Sequence, residues 1–226
     1  MDQIKIGKFI ADCRKKNNLT QMQLAERLGI TDRAVSKWEN GTTTPDTNNL
    51  IELSKIFKEC GVVGAGGAGF PSYAKLNEKA DMIILNCAEC EPLLKLHRQV
   101  MAEYAYEIIY ALNEVKIATG AKEVIIAIKP NYKQAIQAIE EVLPSFENTR
   151  IGLLPPVYPS GDEVVTIYEV TGRVVPAGKL PIEVGCIVYN VETMLNAYYA
   201  IKENKPVTHK YCTVTGAVKN PVTLKL

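Results

Sequence analysis

The hydrophobic residues of this chain change their spacing once, close to residue 60. Up to about Lys58 they recur every three to four positions, as they do along the buried face of a helix. Beyond Gly61, short apolar runs alternate with longer helical patterns. The change predicts an α+β chain of two domains, with an all-α domain over 1–58 and an α/β domain over 59–226. Alternating strands and helices favour a mostly parallel sheet in the second domain.

The first domain carries the signals of four helices. Side-chain oxygens able to cap helix starts and glycines able to end helices separate its apolar stretches. The expected caps are Thr20, Thr31 and Asp46 or Thr47, and the expected helix ends are Gly29 and Gly41. We expect Trp38 to lie in the core whatever this domain does.

The second domain is predicted to contain four buried strands, because its short apolar runs are rich in β-branched residues. The strands are expected at 82–85, 124–128, 151–154 and 186–189, and the helices at 98–119, 132–143, 162–171 and 191–203. The tail from Tyr211 is typical of an opening strand that the chain does not complete.

Composition narrows the class of protein. The chain is 47% hydrophobic and 23% charged, as globular proteins are. No apolar stretch approaches the roughly 20 residues of a membrane helix, and the charged opening MDQIKIGKF is not a signal peptide. Six cysteines without dense spacing indicate a reducing cytoplasm. Ten lysines and arginines against seven acidic residues over 1–58 permit a nucleic-acid partner for the first domain.

The segment LTQMQLAERLGITDRAVSKWENGTTTPD, residues 19–46, is the most specific pattern of the first domain. It predicts two helices joined by a tight turn at Gly29–Ile30, so that the second helix can enter a major groove of DNA. Thr31, at that helix start, is placed to meet phosphate. The expected outer face comprises Asp32, Arg33, Ser36 and Lys37, with Gln21 and Asn40 placed to hold backbone oxygens. The alternative is a four-helix cap with an ordinary solvated surface.

These residues resemble the helix-turn-helix of the phage repressor and Cro family over 4–57. The resemblance implies that Gln21 contacts phosphate and that Arg33, Ser36 and Lys37 approach base edges of double-stranded DNA. Members of that family usually have a fifth helix. Here the sequence ECGVVGAGG follows the fourth helix, so the mode of dimerisation stays open.

The second domain begins with a glycine-rich segment, GVVGAGGAGFP, at 61–71. Gly64, Gly66 and Gly69 satisfy G-x-G-x-x-G, which alone is a weak indication of dinucleotide binding. Its flanks do not fit the ordinary strand–loop–helix motif. Glycines still let backbone N–H groups approach a phosphate or an aromatic ring, and Lys75 could add positive charge. The alternative is a flexible linker between domains.

Three further segments carry polar residues near predicted strand or helix ends. ILNCAECEP, at 84–92, follows a strand at the edge where α/β sheets bind ligands, and it offers Asn86, Glu89 and Glu91. YPSGDEVV, at 158–165, places an aromatic ring and two acids at a helix start. YNVETML, at 189–195, lets Asn190 cap a helix whose N-terminus could receive phosphate.

Together these segments resemble the flavin- and nicotinamide-binding domain of the Rnf electron-transport complex C subunit, a module shared with the flavoprotein subunit of respiratory complex I. The matching pieces over about 60–226 are VVGAGGAGFP, the NCAECEPLL run, YPSGDE, VTGRVVPAGKLP and the NVET run before VTGAVKNP. The resemblance implies a Rossmann-like FMN-binding fold with a mostly parallel sheet and the cofactors FMN and NAD(H).

The resemblance also implies roles for individual residues. Gly64, Gly66, Gly67 and Gly69 would line FMN, and Lys75, Asn190, Glu192 and Thr193 would hold its phosphate and ribityl chain. Asn86, Glu89 and Glu91 would lie near the isoalloxazine ring, Phe70 would stack on NADH, and Tyr158, Asp162 and Glu163 would close the far side. The cofactors carry the redox chemistry, so no protein acid or base is needed for hydride transfer.

The sequence departs from that family in one respect. Members continue past the KNP motif into a small β-domain and a cysteine-rich iron–sulfur segment. No C-x2-C-x2-C run occurs here, so we expect a chain truncated before both.

Three functions remain open. The first is a DNA-binding protein, with dimerisation possible, that responds to NADH or redox state. The second is an electron-transfer component that reduces a separate iron–sulfur partner and uses the helices as a tether. The third is a flavin domain that survives as an inactive remnant.

The cysteines and histidines give weaker signals. Cys87 and Cys90 form a C-x-x-C pair, which occurs in redox and zinc sites, but no second pair lies at zinc-ribbon spacing. We favour a flavin-site loop without a metal. Cys13, Cys60, Cys186 and Cys212 are expected to be small core residues. His97 is expected on the surface at a helix start.

Overall fold

The computed structural model describes residues 3–28, 31–42, 47–77 and 79–226. The chain divides into two compact units, one up to Ile51 and one from Glu52. The helix over Thr47–Glu59 contains the division between these units. The domain boundary expected from the sequence, at residue 58, lies near the end of this helix and stays a prediction.

The helical unit begins with α1 (Gln3–Lys16), α2 (Gln21–Leu28) and α3 (Asp32–Glu39), followed by the start of α4 (Thr47–Glu59). Thr20 opens α2 as predicted: its Oγ1 accepts the Gln23 N–H at 3.1 Å, and Gln23 Oε1 accepts the Thr20 N–H at 2.9 Å. Thr31 caps α3 as predicted, and Gly41 follows that helix with a left-handed φ of +68°. The predicted turn at Gly29–Ile30 and the alternative cap Asp46 lie outside the described residues.

A small core holds these helices together. Ala25, Val35 and Trp38 are buried, which confirms the expectation for Trp38. Gly7 lets α1 approach α3 closely, because a Cβ at this position would lie 2.2 Å from the Trp38 carbonyl oxygen. Beside the core, Arg14 Nε contacts Glu39 Oε1 at 2.5 Å. Among the described residues of this unit, a small apolar core is thus accompanied by the Arg14–Glu39 ion pair.

The second unit contains a four-stranded parallel sheet, which confirms the predicted fold class. Its strands are β1 (Met82–Asn86), β2 (Glu123–Ile128), β3 (Thr149–Leu153) and β4 (Cys186–Asn190), in the order β3-β2-β1-β4. The helices between and after them are α5 (Leu96–Glu103), α6 (Ala105–Thr119), α7 (Lys133–Val142), α8 (Glu163–Thr171) and α9 (Val191–Glu203). Short 3-10 turns occupy Ser72–Lys75, Leu143–Ser145 and Pro181–Val184.

The sequence located all four strands because each contains a short apolar run, although β3 spans Thr149–Leu153 where 151–154 was expected. In β1, Ile84 and Leu85 are fully buried on opposite faces of the sheet. The edge strand β3 leaves Arg150 and Leu153 exposed. The single helix predicted over 98–119 is wrong. Two helices occupy this stretch, and the chain breaks at Tyr104, whose φ of −125° and ψ of 37° are not helical. No proline or glycine marks this break in the sequence.

The strand order creates a switch point in the sheet. From β1 the chain adds β2 and then β3 on one side, and it crosses to add β4 on the other side of β1. Asn86 at the end of β1 lies in register with Asn190 at the end of β4. Ligands of open α/β sheets bind outside the carboxyl ends of strands at such a point. The fold therefore directs attention to the loops that follow β1 and β4.

The tail of the chain differs from the expectation. We predicted an unfinished strand from Tyr211, but β5 (Tyr211–Val214) pairs antiparallel with β6 (Val222–Lys225) to form a two-stranded hairpin. None of the helices within the described residues is long and apolar enough to cross a membrane.

Candidate functional site

A cleft of about 500 Å³ opens at the switch point between β1 and β4. The glycine-rich segment, the loop after β1 and the start of α9 form its walls. Most of the predicted cofactor residues line it, namely Gly64, Gly66, Gly67, Phe70, Lys75, Asn86, Glu89, Glu91, Glu163, Asn190 and Thr193. Segments far apart in sequence thus meet where the topology indicates a ligand site. Four predicted residues do not line the cleft: Gly69, Tyr158, Asp162 and Glu192.

The glycine-rich segment forms a closed loop. Val63 pairs with Pro71, and the Gly64 N–H donates to the Phe70 carbonyl at 2.8 Å. The Ala65 N–H donates to Thr193 Oγ1 at 2.9 Å, which fastens the loop to the start of α9. Because of these bonds the segment has a defined conformation, unlike a flexible linker.

The tip of this loop presents bare backbone to the cleft. Among the described residues, nothing accepts a hydrogen bond from the N–H groups of Gly66, Gly67 or Ala68. A Cβ at Gly66 would lie 2.4 Å from Asn190 Nδ2, whereas a Cβ at Gly67 would meet nothing within 4 Å. Glycine is therefore required at position 66 for the close approach of Asn190, and Gly67, which lines the cleft, has free space beside its Cα.

Asn190 joins two walls of the cleft. Its Oδ1 accepts the Thr193 N–H at 3.2 Å, so it caps α9 as predicted. Its Nδ2 lies 2.8 Å from Nε2 of His97, which also lines the cleft. His97 lies at the start of α5 as expected, but its ring is half-buried in the cleft and not on the outer surface. Burial lowers the pKa of this histidine to about 4. Sequence reasoning missed this contact because His97 and Asn190 belong to no common motif.

Glu89 brings a buried carboxyl group to the loop after β1. Its Oε1 accepts the His97 N–H at 3.0 Å, and its Oε2 is buried without a hydrogen bond, 3.5 Å from Arg98 Nε. Burial raises the pKa of Glu89, and the Arg98 charge opposes that rise only in part. The buried Lys129 donates to the Glu89 backbone carbonyl at 2.7 Å. The cleft therefore has an unsatisfied carboxylate oxygen near its wall.

Asn86 and Glu91 occupy different environments in the same loop. Asn86 Nδ2 donates to the Gly161 carbonyl at 2.8 Å, and its Oδ1 accepts the Ala88 N–H at 3.0 Å. Asn86 thus ties the loop after β1 to the segment before α8. Glu91 is exposed at the rim of the cleft.

Lys75 and Phe70 form another part of the rim. Lys75 Nζ donates to the Val188 carbonyl at 2.8 Å and lies 3.3 Å from Glu163 Oε1. Half of the Phe70 surface is exposed, at 50%. A second pocket of about 250 Å³ shares Phe70, Lys75, Glu163 and Val188 with the cleft. The Phe70 ring therefore lines two adjoining cavities.

The predicted residues outside the cleft have other contacts. The Glu192 carboxylate is buried and accepts hydrogen bonds from Lys210 Nζ and, at 2.9 Å, from the Tyr211 N–H. Asp162 caps α8 by accepting the N–H groups of residues 164 and 165. Tyr158 is 80% exposed. Lys210, which sequence reasoning missed, also donates to the Ala65 carbonyl at 2.8 Å and so holds the glycine loop.

The cysteines lie partly as expected. Cys60 and Cys186 are buried as predicted, whereas Cys13 and Cys212 are only half-buried. Cys87 is fully buried and its pKa is raised by burial, while Cys90 lines the cleft. Within the part of the chain that the structure describes, no cluster of histidine, cysteine or acidic side chains is arranged to hold a metal ion.

In the helical unit, α3 separates buried from exposed residues. Val35 and Trp38 face the core. The predicted DNA-facing residues Thr31, Asp32, Arg33, Lys37 and Asn40 are exposed, and Ser36 is half-buried. Gln21 Nε2 donates to Glu39 Oε2 at 2.8 Å, so its amide already has a partner. The helix thus presents two cations on one accessible surface.

Comparison with known proteins identifies both parts of the chain. The profile of the Nuo51 FMN-binding domain matches residues 57–199. The chain belongs to this family. A helix-turn-helix profile matches residues 10–62. The resemblances inferred from the sequence motifs are therefore confirmed: a helix-turn-helix segment is fused to a flavin domain of the kind found in the C subunit of Rnf complexes.

Two curated relatives match most of the chain. Cobalamin reductase PduS of Citrobacter freundii is 48% identical over 167 residues, which are 74% of this chain and 37% of that protein. The C subunit of the proton-translocating ferredoxin:NAD(+) oxidoreductase complex of Clostridium ljungdahlii is 34% identical over 197 residues, covering 82% of this chain and 42% of that protein. The chain thus spans less than half the length of either relative.

A solved structure shares the fold. The NAD+-reducing NiFe hydrogenase in its H2-reduced state matches with a TM-score of 0.68 and 21% identity, over 80% of this chain and 38% of that one. At this identity the match concerns the architecture of the sheet and helices.

Proposed function

We propose that the chain is a DNA-binding electron-transfer flavoprotein that holds FMN in the cleft, accepts electrons from NADH and changes its DNA binding with its redox state. One observation carries the flavin proposal: unused backbone N–H groups at Gly66, Gly67 and Ala68 lie in the cleft beside the start of α9. Such N–H groups and a helix N-terminus both favour the phosphate of a nucleotide.

The residues of the cleft fit a phosphorylated aromatic cofactor. Gly67 leaves room for a flat ring, since no atom lies within 4 Å of the place where its Cβ would be. The side chains of Asn86 and Glu91, which also line the cleft, could meet polar ring edges. Bound FMN would supply the exchange of electrons with a nicotinamide. The chain's own residues would bind and orient the flavin and exclude water from it.

NAD(H) would lie on the exposed side of the same site. Phe70 offers a half-exposed ring for stacking, and the second pocket continues beyond it. Lys75 and Glu163, paired at 3.3 Å, could hold polar groups of the dinucleotide at this boundary.

An absorbance spectrum of the purified full chain tests the flavin proposal. We expect the two visible bands of bound flavin, directly or after adding FMN, and bleaching when NADH is added without oxygen. Adding NADPH to a parallel sample shows whether the chain oxidises NADH, NADPH or both. A colourless chain that does not bind added FMN would contradict the proposal.

DNA binding is proposed for the exposed face of α3. Arg33 and Lys37 are exposed there, and a helix-turn-helix places this helix in the major groove. Selection from random duplexes should yield a preferred site. Arg33→Ala and Lys37→Ala should each weaken binding to it by about 1–3 kcal/mol. Lys179→Ala, which removes an exposed charge from the other unit, is the matched control. Equal DNA affinity of all three variants and the wild type would contradict the proposal that this face of α3 binds DNA.

Redox response is tested with the same selected duplex. Its affinity for the full chain should differ between the oxidised and the NADH-reduced flavoprotein under anaerobic conditions. Identical affinities would leave DNA binding and flavin binding as separate activities.

A second candidate is an electron-transfer component that reduces a separate iron–sulfur protein, with the helices as a tether. The ferredoxin-linked relative favours it. Under this alternative, NADH oxidation with ferricyanide, ferredoxin or a corrinoid should proceed equally in the wild type and in the Arg33→Ala variant. Dependence of the rate on added operator DNA would favour the first proposal.

A further inference from the structure

We infer that His97 is a positioning residue of the cleft: through Nε2 it fixes the side-chain amide of Asn190, and through Asn190 it holds the glycine loop in the conformation that binds the cofactor. The inference rests on the proposed FMN function. His97 lies outside every motif that identified the domain, and its role follows from three contacts.

The hydrogen-bond pattern fixes the state of the imidazole. Asn190 Oδ1 accepts the Thr193 N–H, so the other end of this amide, Nδ2, faces His97 at 2.8 Å. An amide Nδ2 can only donate, and His97 Nε2 must therefore accept. The ring proton then resides on Nδ1, which is buried without a hydrogen-bond partner.

Asn190 Nδ2 also supports the glycine loop. It lies under Gly66 so closely that a Cβ there would be 2.4 Å away. The main-chain N–H of His97 binds Glu89 Oε1 at 3.0 Å, which anchors the start of α5 to the loop after β1. Three walls of the cleft therefore meet at one junction, formed by Gly66, His97 and Asn190.

Loss of the acceptor should disturb this junction. Without Nε2, the Asn190 amide would keep an unpaired donor in a part-buried site or rotate away from its cap. Either change removes support beneath Gly66, and the loop would have to be ordered again when the cofactor binds. His97 therefore acts on cofactor affinity without contributing to the chemistry.

Two variants of the full chain test the role. His97→Leu removes the acceptor and should weaken FMN binding roughly tenfold or more. His97→Gln should stay within about threefold of the wild type, because its Oε1 is as many bonds from Cα as Nε2 and can accept the same hydrogen. His209→Gln changes the other histidine and is the matched control. Unchanged affinity in His97→Leu, or equal losses in both His97 variants, would overturn the inference.

Nitrogen-15 NMR of the histidine rings supplies a readout that needs no cofactor. The chain contains two histidines, and the His209→Gln variant assigns their signals. In the FMN-free wild type at neutral pH, His97 should be neutral with a protonated Nδ1 and a bare Nε2. Asn190→Asp keeps the helix cap but replaces the donor by an acceptor, so the proton should move to Nε2.

The two measurements separate the possible failures. A wild type that binds no FMN would overturn the proposed function, while the NMR result would still decide the His97–Asn190 contact. A wild-type ring protonated on Nε2 would overturn the inference even if FMN binds, and even if the His97 variants fail to fold.

Discussion

The two regions of this chain arrange their candidate functional side chains in opposite ways. In the helical unit, Arg33 and Lys37 point outward from α3 and contact little else, so their role depends on surface charge. In the cleft, Glu89, His97 and Asn190 bind one another before any ligand arrives. A substitution on the exposed face of α3 should therefore affect only the substituted residue. A substitution in the cleft should also disturb the residues that are hydrogen-bonded to the substituted side chain.

The cores of the two regions differ as well. Within the described part of the helical unit, Ala25, Val35 and Trp38 form a buried cluster, and the Arg14–Glu39 ion pair lies beside it. The sheet of the second unit carries fully buried aliphatic side chains on both faces, such as Ile84 on one face and Leu85 on the other. The helical unit should accordingly be the more sensitive to single substitutions. Trp38 is the one tryptophan of the chain, so its fluorescence reports on the helical unit alone.

Gly7→Val should have the largest effect, confined to the helical unit. A Cβ at this position would lie 2.2 Å from a backbone oxygen of α3, which cannot move aside without shifting the helix. We expect a loss of about 3 kcal/mol or more in the free energy of unfolding followed by Trp38 fluorescence. Lys8→Val, on the exposed side of α1, is the control. An unchanged unfolding midpoint for Gly7→Val would show that α1 and α3 do not pack this closely.

Gly67→Val tests the second region without a steric clash in the protein. Nothing lies within 4 Å of the added Cβ, so the unit should still fold. The valine side chain should then occupy space that the flavin needs. We expect FMN affinity to fall about a hundredfold, or roughly 2.7 kcal/mol, with Gly67→Ala intermediate. The measurement is a flavin fluorescence titration. A valine variant that binds FMN like the wild type would place the flavin elsewhere.

Acid should destabilise the helical unit through Glu39. Hydrogen bonding to Arg14 lowers the pKa of Glu39 below its unfolded value near 4.5. The unfolded carboxylate therefore takes up a proton first, and the stabilisation, present above about pH 4.5, is lost as pH falls through the folded pKa. Glu39→Gln should lower the melting temperature at pH 7 by several degrees and flatten this acid dependence. Glu26→Gln, exposed on α2, should do neither; equal behaviour of the two variants would contradict a structural role for the ion pair.

Lys210→Met should have the smallest effect of these variants. The substitution removes the hydrogen bonds to the Ala65 carbonyl and to the buried Glu192 carboxylate. The glycine loop thereby loses one of its attachments to the rest of the unit. We expect FMN affinity to fall about fivefold, with Lys219→Met, in the exposed hairpin turn, as the control. An affinity equal to that of the control would show that Lys210 does not help to hold the loop in its cofactor-binding conformation.

The sequence predicts most of the fold because the local signals agree with the tertiary structure. Each strand contains a short apolar run, and Thr31, Asp162 and Asn190 cap helices where a short polar side chain precedes an apolar pattern. The break at Tyr104 carries no such signal. There the long apolar pattern continues across two helices, so tertiary packing decides where the chain turns.

Only those residues of the site that belong to a recognisable sequence motif could be predicted. Asn86 and Glu89 were found because they lie at the end of a predicted strand, and the glycine loop was found from its own glycine spacing. His97 and Lys210 were missed because their partners, Asn190 and Ala65, are distant in sequence, and only the folded chain brings them together. Glu192 was expected at the cofactor, yet its carboxylate binds Lys210 and Tyr211 outside the cleft.

Titration of the full chain with FMN and, separately, with riboflavin tests the central claim most directly. If the unused N–H groups at the loop tip and the start of α9 receive a phosphate, one FMN should bind per chain, and riboflavin, which lacks that phosphate, should bind at least tenfold more weakly, a difference of about 1.4 kcal/mol. Absence of FMN binding, or equal affinity for the two flavins, would contradict the account.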